Sequence, residues 1–435
     1  MVLQLMSVEK MSDPSAPIFR RVACRIMPFI CLCYSIAYLD RVNVGFAKLE
    51  MLRDLGMSEA AYGLGAGLFF IGYIILELPS SAALQKIGAK IWIARIMVSW
   101  GVLSGLTAFV TEPWQFNVLR FLLGAAEAGF LPGVLFYLTT WFPSYRRARI
   151  ISLFMIGVPL SSIIGSPLSG WIMGHMQHVA ALHGWQWLFL MEAAPTVLLG
   201  IATLFVLPND PQGARWLSDD EKVEIQGTLA ADQDEASTSR YRFRDGALDI
   251  KIWMLGGIDF SLLLCTYALS FWLPTFIRQT GVQDIFTIGL LTALPSVASL
   301  VCILLIGTSS DRRRERRWHI IVPFIVGAAA LAGSTYVTSN VVATVLLFSV
   351  ASGMITGTVS VIFSLPSTFL KGAAAASGFA LACSLANIAG LVSNVMIGLA
   401  SDLTGSSGSA LWLFSGSLLV SSVLVFMLPP KVVNR

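Results

Sequence analysis

Residues 120–133 read RFLLGAAEAGFLPG and lie inside an apolar run from about residue 114 to residue 138. A run of this length is sufficient for a helix that crosses a lipid bilayer. It contains two charges, Arg120 and Glu127, whose spacing puts them on nearly the same helix face, roughly 10 Å apart along the axis. Charges inside a membrane are costly and normally face a partner charge or a water-filled cavity. The stretch therefore predicts either an ion pair between helices or a polar cavity that meets an anion and a proton.

The composition of the whole chain indicates a membrane protein. Its 435 residues are 56% hydrophobic and 12% charged, whereas about 25% of the residues are charged in a typical soluble domain. We therefore expect an all-α polytopic membrane protein with twelve transmembrane helices in two six-helix bundles. The candidate spans are residues 22–46, 59–83, 91–110, 114–138, 149–174, 186–207, 252–277, 285–307, 319–338, 340–365, 373–399 and 409–428.

The longest polar loop divides these spans into six and six. This pattern predicts an N-terminal bundle over residues 1–207, a cytoplasmic linker over 208–250 and a C-terminal bundle over 251–435. Two halves of six spans are typical of transporters built from related repeats. Within the linker, Ser218 and Glu221 have the spacing of a capping box, which predicts the start of a short helix.

Basic residues in the short loops predict the orientation of the chain. Lys and Arg concentrate on one side of the membrane, and the positive-inside rule places this side in the cytoplasm together with both termini. We expect a multi-pass protein of the cell (inner) membrane that contacts the lipid bilayer and binds no nucleic acid, since a net charge of +4 is small. The residues that carry this asymmetry include Arg20, Arg21, Lys86, Lys90, Arg146, Arg147, Arg312 and Arg313.

The chain lacks the sequence signatures of enzymes and of metal sites. There is no HExxH, no phosphate-binding GxxxxGK[ST] loop and no nucleophile elbow. The six cysteines lie in or beside apolar runs, where cysteine behaves as a small hydrophobic residue. His175, His178 and His183 share a loop without acidic or cysteine neighbours. We therefore expect no enzymatic activity, no cofactor and no metal.

Five segments of the chain together form a recognisable pattern. They are AYLDRVNVGFA at 37–47, FFIGYIILELPSS at 69–81, RFLLGAAEAGFLPGVLFYLTTWFP at 120–143, GWQWLFLMEAAP at 184–195 and ARWLSDDEK at 214–222. They resemble the major facilitator superfamily and, within it, the anion:cation symporter branch. The resemblance covers nearly the whole chain, which looks most like bacterial permeases for tartrate, nicotinate-type and hydroxyphenylacetate-type acids. A sixth segment, GTSSDRRRERR at 307–317, resembles the gating motif of the superfamily.

The resemblance implies alternating access and the uptake of a small organic anion with protons, by a carrier that works as a monomer. An exporter or an anion antiporter of the same fold stays open as the alternative. The segment Val158-Pro159 departs from relatives that carry a polar side chain there, so the substrate stays open too. The implied residues are Arg41, Arg120, Tyr38, Tyr73 and Asn387 for substrate, Asp40 and Glu127 for the proton, and Asp311, Arg312 and Glu77 for gating.

The chemistry of these side chains agrees with such roles. Arginine never deprotonates and offers two parallel donors to a carboxylate, whereas a buried carboxyl group can exchange a proton near neutral pH. Asp40 and Arg41 are adjacent, so their side chains diverge by about 100° on a helix. We expect protonation of Glu127 to release Arg120, and Glu77 to pair with a cation of the gating loop. Glu192 and Asp259 receive no role.

Overall fold

The computed structural model describes residues 16–237, 250–365 and 372–429, and all regular secondary structure in these residues is helical. Eleven described helices are long and apolar enough to cross a membrane, and a twelfth, Trp318–Ser334, is a shorter apolar helix of 17 residues. These twelve correspond to the predicted spans. The all-α fold class and the transmembrane character of the chain are therefore confirmed.

The first bundle contains eight α-helices because two of its spans are broken. They are α1 (Ala16–Asp54), α2 (Glu59–Ile87), α3 (Ala89–Leu106), α4 (Pro113–Glu127), α5 (Phe130–Thr139), α6 (Ser144–Met155), α7 (Gly157–His175) and α8 (Gly184–Val206). The linker contains α9 (Asp219–Ser237). The second bundle contains α10 (Ile250–Gln279), α11 (Ile285–Arg313), α12 (Trp318–Ser334), α13 (Val341–Gly357), α14 (Val359–Ser364), α15 (Gly372–Thr404) and α16 (Ser409–Met427).

The break between α4 and α5 follows from Pro132. Proline has no N–H, and its ring clashes with the carbonyl four residues earlier, which here belongs to Ala128. Gly129 turns the chain with a φ of 87°, and the hydroxyl of Ser80 donates to the freed carbonyl of Ala128 at 2.6 Å. Pro159 interrupts span 5 in the same way, at the break between α6 and α7. Span 4 is therefore two helices, whose junction lies next to Glu127.

Helices α2 and α4 pack so closely that their backbones touch, because glycines lie at the contact. A Cβ atom at Gly124 would clash with the carbonyl oxygen of Phe69, and one at Gly72 would clash with that of Phe121. Small residues allow this approach between membrane helices. The contact brings the ring of Phe69 against the buried face of α4.

The linker helix α9 is held against the first bundle. Its predicted capping box is confirmed: the amide of Ser218 donates to Glu221 at 3.0 Å, and the amide of Glu221 donates to the Ser218 hydroxyl at 3.3 Å. Arg21 of α1 pairs with Glu221 at 2.7 Å, and Arg147 of α6 pairs with Asp232 at 3.1 Å. We call this end of the molecule the linker end. Residues 238–249 of the predicted linker lie outside the described part of the chain.

The two bundles meet closely at the opposite end, which we call the far end. A Cβ atom at Gly45 in the last third of α1 would lie 2.6 Å from the carbonyl oxygen of Phe271 in α10. One at Gly170, near the end of α7, would lie 2.7 Å from the carbonyl oxygen of Ile285, the first residue of α11. The bundles therefore touch backbone to backbone at the far end, which closes the space between them there.

The α2–α4 contact generates a prediction about stability. Gly124→Ala should lower the free energy of unfolding by about 1–3 kcal/mol, since the added methyl group has backbone on its far side and cannot be accommodated by a rotamer change. Thermal unfolding in detergent, followed by size-exclusion chromatography, measures this loss. The matched control is Gly416→Ala in α16, where an added Cβ meets nothing within 4 Å. Equal melting temperatures for the two variants would contradict the predicted contact.

Candidate functional site

Arg41 and Glu127 form an ion pair between α1 and α4. The contact joins Nη2 of Arg41 to Oε1 of Glu127, and the two side chains are 16% and 3% exposed. The expected release of Arg120 by Glu127 is therefore corrected, because the carboxylate lies on Arg41. The physical reason is distance: two turns separate Arg120 from Glu127 along one helix, whereas a side chain from the facing helix reaches Glu127 directly.

Arg120 is buried, and no carboxylate of the described residues pairs with it. The residue is 1% exposed. Its Nε and Nη2 atoms have no hydrogen-bond partner among the described residues. The guanidinium carbon of Arg120 lies 5.0 Å from the ring centre of Phe69. The guanidinium carbon of Arg41 lies 5.4 Å from the same ring centre. One aromatic ring thus contacts both arginines. We call Arg41, Phe69, Arg120 and Glu127 the arginine pocket.

Unpartnered donors around this pocket indicate a site that can bind a hydrogen-bond acceptor. Besides the two atoms of Arg120, Nε of Arg41 and the hydroxyl of Tyr62 are buried and unpartnered among the described residues. Tyr62 interacts electrostatically with Arg120. Buried donors without partners are rare, and each costs about 1–3 kcal/mol. Several of them around one ring are typical of a binding site for an anion.

Asp40 faces away from the arginine pocket, as the divergence of adjacent helical side chains predicts. Its carboxylate accepts hydrogen bonds from the indole N–H of Trp100 at 2.7 Å and from the hydroxyl of Thr196 at 3.1 Å. A third donor is the hydroxyl of Ser104 at 3.3 Å. These donors belong to α3 and α8, so Asp40 faces the interior of the first bundle, whereas the neighbouring Arg41 faces Glu127.

The remaining expected substrate residues have different surroundings. Tyr73 packs at the pocket, with its ring centre 5.4 Å from the guanidinium carbon of Arg41, and Tyr38 lines a cavity between the bundles. Asn387 is half-buried on α15, and no contact among the described residues joins it to either arginine. The structure thus brings together Arg41, Arg120, Tyr73 and Glu127, but not Asn387.

A cavity rich in hydroxyl groups lies between the bundles beside Tyr38. It holds about 80 Å³ of free space, enough for several water molecules. Sequence patterns do not reveal the hydroxyl lining of this cavity. Its residues are scattered over several helices, and a single serine or threonine is common in a membrane span. Its hydroxyl-bearing residues are Ser162, Ser166, Thr266, Ser270, Thr292, Ser296, Ser299, Ser352 and Thr356.

The predicted gating residues lie at the linker end of the structure. Asp311 and Arg312 are exposed in the last turn of α11, which ends where Arg314 adopts a φ of 50°. The segment expected to be a loop is therefore largely helical. Glu77, expected to pair with a cation of this segment, makes no ion pair among the described residues, and the charge of Arg41 acts on it instead. The pairing prediction for Glu77 is corrected accordingly.

A buried lysine joins the two bundles at the far end. Lys48 is 2% exposed, and its ammonium group pairs with Glu59 at 2.5 Å and donates to the hydroxyl of Thr275 at 3.1 Å. It also lies 3.4 Å from the ring centre of Trp272. Sequence reasoning misses this cluster because the predicted first span ends at residue 46, whereas α1 continues to Asp54.

Comparisons with known proteins identify the family. The family described as Major Facilitator Superfamily matches residues 30–393. A protein of Pseudomonas putida named as the metabolite transport protein NicT is 64% identical over 96% of this chain and 96% of its own length. A protein of Agrobacterium vitis named as a tartrate transporter is 43% identical over 97% of this chain and 94% of its own. The crystal structure of a D-xylose-proton symporter superposes with a TM-score of 0.72 at 15% identity, covering 94% of this chain and 99% of that one.

The far-end cluster predicts how access to the cavity is controlled. Lys48→Met should weaken the closure by about 1–2 kcal/mol, since it removes the ion pair and the contact with Trp272. In a variant whose native cysteines are replaced, the rate at which a membrane-impermeant thiol reagent modifies Ser270→Cys from the far-end side should rise roughly tenfold.

Oriented vesicles distinguish the two sides of the membrane in this measurement. The matched control is Lys86→Met, which removes an exposed lysine from the last turn of α2. An equal rise with both variants, or no rise with Lys48→Met, would show that Lys48 does not hold the far end closed.

Proposed function

The chain belongs to the Major Facilitator Superfamily, and we propose that it is a transporter that imports a small organic anion by proton symport with alternating access. The anion is a carboxylate such as a tartrate, a sugar acid or an aromatic acid. The observation that carries this proposal is the buried guanidinium of Arg120, whose Nε and Nη2 atoms lack partners among the described residues. Names of relatives support the substrate class, since one of them is named for tartrate.

A carboxylate fits the open donors of Arg120 in charge and shape. The planar guanidinium group can give two parallel hydrogen bonds to the two oxygens of a carboxylate. Because Arg120 is already out of water, binding needs little further desolvation of the protein. The second cation, Arg41, contacts the same Phe69 ring, so a second oxygen or carboxyl group of the same anion can reach it.

Glu127 supplies the proposed link to protons. In this conformation its carboxylate pairs with the guanidinium of Arg41 and therefore competes with the incoming anion for that group. Protonation removes the negative charge from Glu127, which weakens the ion pair and makes Arg41 available. The proton and the anion therefore favour each other's binding, which is the thermodynamic condition for symport.

We also propose the orientation of the transporter in an inner membrane. Basic residues at the linker end, including Arg146, Arg147 and Arg312, favour the cytoplasm for that end. The far end then faces outward, and the cluster around Lys48 closes the molecule against the outside. This conformation corresponds to the stage of the cycle in which the site is separated from the external solution.

Substitution of Arg120 tests the proposed anion site. Arg120→Lys keeps the charge but loses the two-donor fork, so the apparent affinity for the transported anion should fall at least tenfold. Uptake into proteoliposomes with an inward proton gradient measures this, with tartrate, sugar acids, nicotinate and hydroxyphenylacetate as probes. The control is Arg95→Lys in α3, whose guanidinium lies over Trp92. Equal affinities in both variants would exclude Arg120 from the anion site.

Substitution of Glu127 tests the proton coupling. Glu127→Gln mimics the protonated acid, so it should lower proton-driven accumulation while anion exchange across the membrane continues. Both are measured in the same proteoliposomes, with and without a pH gradient. Intact accumulation in this variant would contradict the role of Glu127. Exchange or outward flux alone in the wild type would instead favour an antiporter or an exporter.

A further inference from the structure

Glu192 is a second buried acid of the first bundle, and it lies outside the arginine pocket. It is 2% exposed. Its Oε2 accepts a hydrogen bond from the amide of Asn43 at 2.7 Å, and its Oε1 accepts one from the hydroxyl of Ser169 at 3.0 Å. Both donors are neutral. Among the described residues no cation pairs with this carboxyl group, which would be costly to keep ionised inside a membrane.

The charged neighbour of Glu192 is another acid. Helices α1, α3 and α7 pack against α8, and the charge on these helices that acts on Glu192 is Asp40. Arg41 of α1 faces α4, and Arg95 of α3 lies over the ring of Trp92. Asp40 is also affected by the negative charge of Glu127, and Asp40 in turn acts on the guanidinium of Arg120. Neighbouring carboxyl groups disfavour double ionisation, because each negative charge raises the cost of the other. The pair therefore retains at least one proton through part of the pH range in which the protein works.

Asn43 is suited to hold Glu192 in either protonation state. Its Nδ2 donates to the carboxyl group, whereas its Oδ1 is buried and unpartnered among the described residues. A half-turn of the amide would present Oδ1 as an acceptor for the O–H of a protonated Glu192. The unpartnered oxygen is thus the feature expected where a carboxyl group alternates between accepting and donating.

One hydroxyl group connects Glu192 with Asp40. The hydroxyl of Thr196 lies 3.1 Å from Oδ2 of Asp40 and 3.0 Å from the backbone carbonyl of Glu192. It has a single proton and can donate fully to only one of these acceptors at a time. Asp40 and Asn43 are one helical turn apart on α1, and Arg41 lies between them in sequence. A change at Glu192 can therefore reach the arginine pocket through one rigid helix.

We propose that Glu192 is a proton-holding residue of the transport cycle, which shares a transported proton with Asp40, and that the amide of Asn43 rotates to match its protonation state. The step forms one O–H bond at the carboxyl group when a proton enters and breaks it when the proton leaves. No other bond changes. This inference rests on the proposed proton symport and adds a second proton site to that of Glu127.

The ratio of protons to anions tests this assignment directly. Wild type and Glu192→Gln are placed in proteoliposomes with a gradient of one pH unit and a membrane potential held at zero by potassium and valinomycin. The probe is whichever of tartrate, nicotinate and hydroxyphenylacetate the wild type accumulates. Each coupled proton contributes about tenfold to the steady-state accumulation at this gradient. We expect the variant to accumulate roughly tenfold less than the wild type.

A purely structural role gives a different result, because slower transport delays the steady state without changing its level. Glu224→Gln, in the exposed part of α9, is the matched control and should accumulate like the wild type. An unchanged steady state in Glu192→Gln would overturn the assignment of Glu192 alone. No proton-dependent accumulation in the wild type would instead contradict the proposed function.

A second variant keeps the inference testable if Glu192→Gln does not fold. Ser169→Ala removes one donor to the ionised carboxylate, so the protonated form is favoured and the pH midpoint of anion exchange should shift upward. Ser349→Ala is the control, since that hydroxyl donates to the carbonyl of Val345 in its own helix. Identical pH profiles for the wild type and Ser169→Ala would overturn the proposal.

Discussion

The cost of an unpaired charge inside a membrane determines how this structure is arranged. Arg41 and Glu127 neutralise each other between α1 and α4, and Lys48 is neutralised by Glu59 between α1 and α2. Arg120 departs from this pattern, since it is buried and two of its donors lack partners among the described residues. A cation left open where the others are paired is the place where a bound anion gains most, because binding removes an existing penalty.

The geometry of the arginine pocket depends on the backbone as much as on the charges. Glycines such as Gly124 let α2 approach α4 closely enough for the ring of Phe69 to lie against both guanidinium groups. The proline break after Glu127 ends α4 beside the pocket, where Ser80 satisfies the freed backbone carbonyl. Because Arg41 and Glu127 lie on different helices, a relative movement of α1 and α4 would separate the pair. Such discrete rearrangements are what alternating access requires.

The amino-acid sequence predicts the helices and most of the pocket, but not its pairings. Charges are rare in apolar runs, so the sequence alone identifies Arg120 and Glu127 as site candidates, and the family resemblance adds Asp40 and Arg41. Helical periodicity also predicts that Asp40 and Arg41 face different sides. It does not predict that Glu127 pairs with Arg41, because partners on different helices are chosen by tertiary packing rather than by spacing within one helix.

The residues that sequence reasoning misses altogether have weaker signals. A single charge at Lys48 ends the apolar run and so predicts a loop, whereas burial against Trp272 and Glu59 lets α1 continue past it. The hydroxyl-lined cavity has no sequence signal because serine and threonine satisfy their own helix carbonyls in a membrane and therefore interrupt no apolar pattern. Glu192 is visible as an intramembrane acid but receives no role, since its partners Asn43 and Ser169 lie far away in sequence.

The central claim, that the anion and Glu127 compete for Arg41, is tested most directly by counting protons during binding. Purified protein in weakly buffered detergent solution is titrated with the transported anion while a pH-sensitive dye reports proton uptake. Binding should draw about one proton per anion into the wild type at a pH where Glu127 is ionised, and none into Glu127→Gln. Anion binding to the wild type without proton uptake would contradict the account.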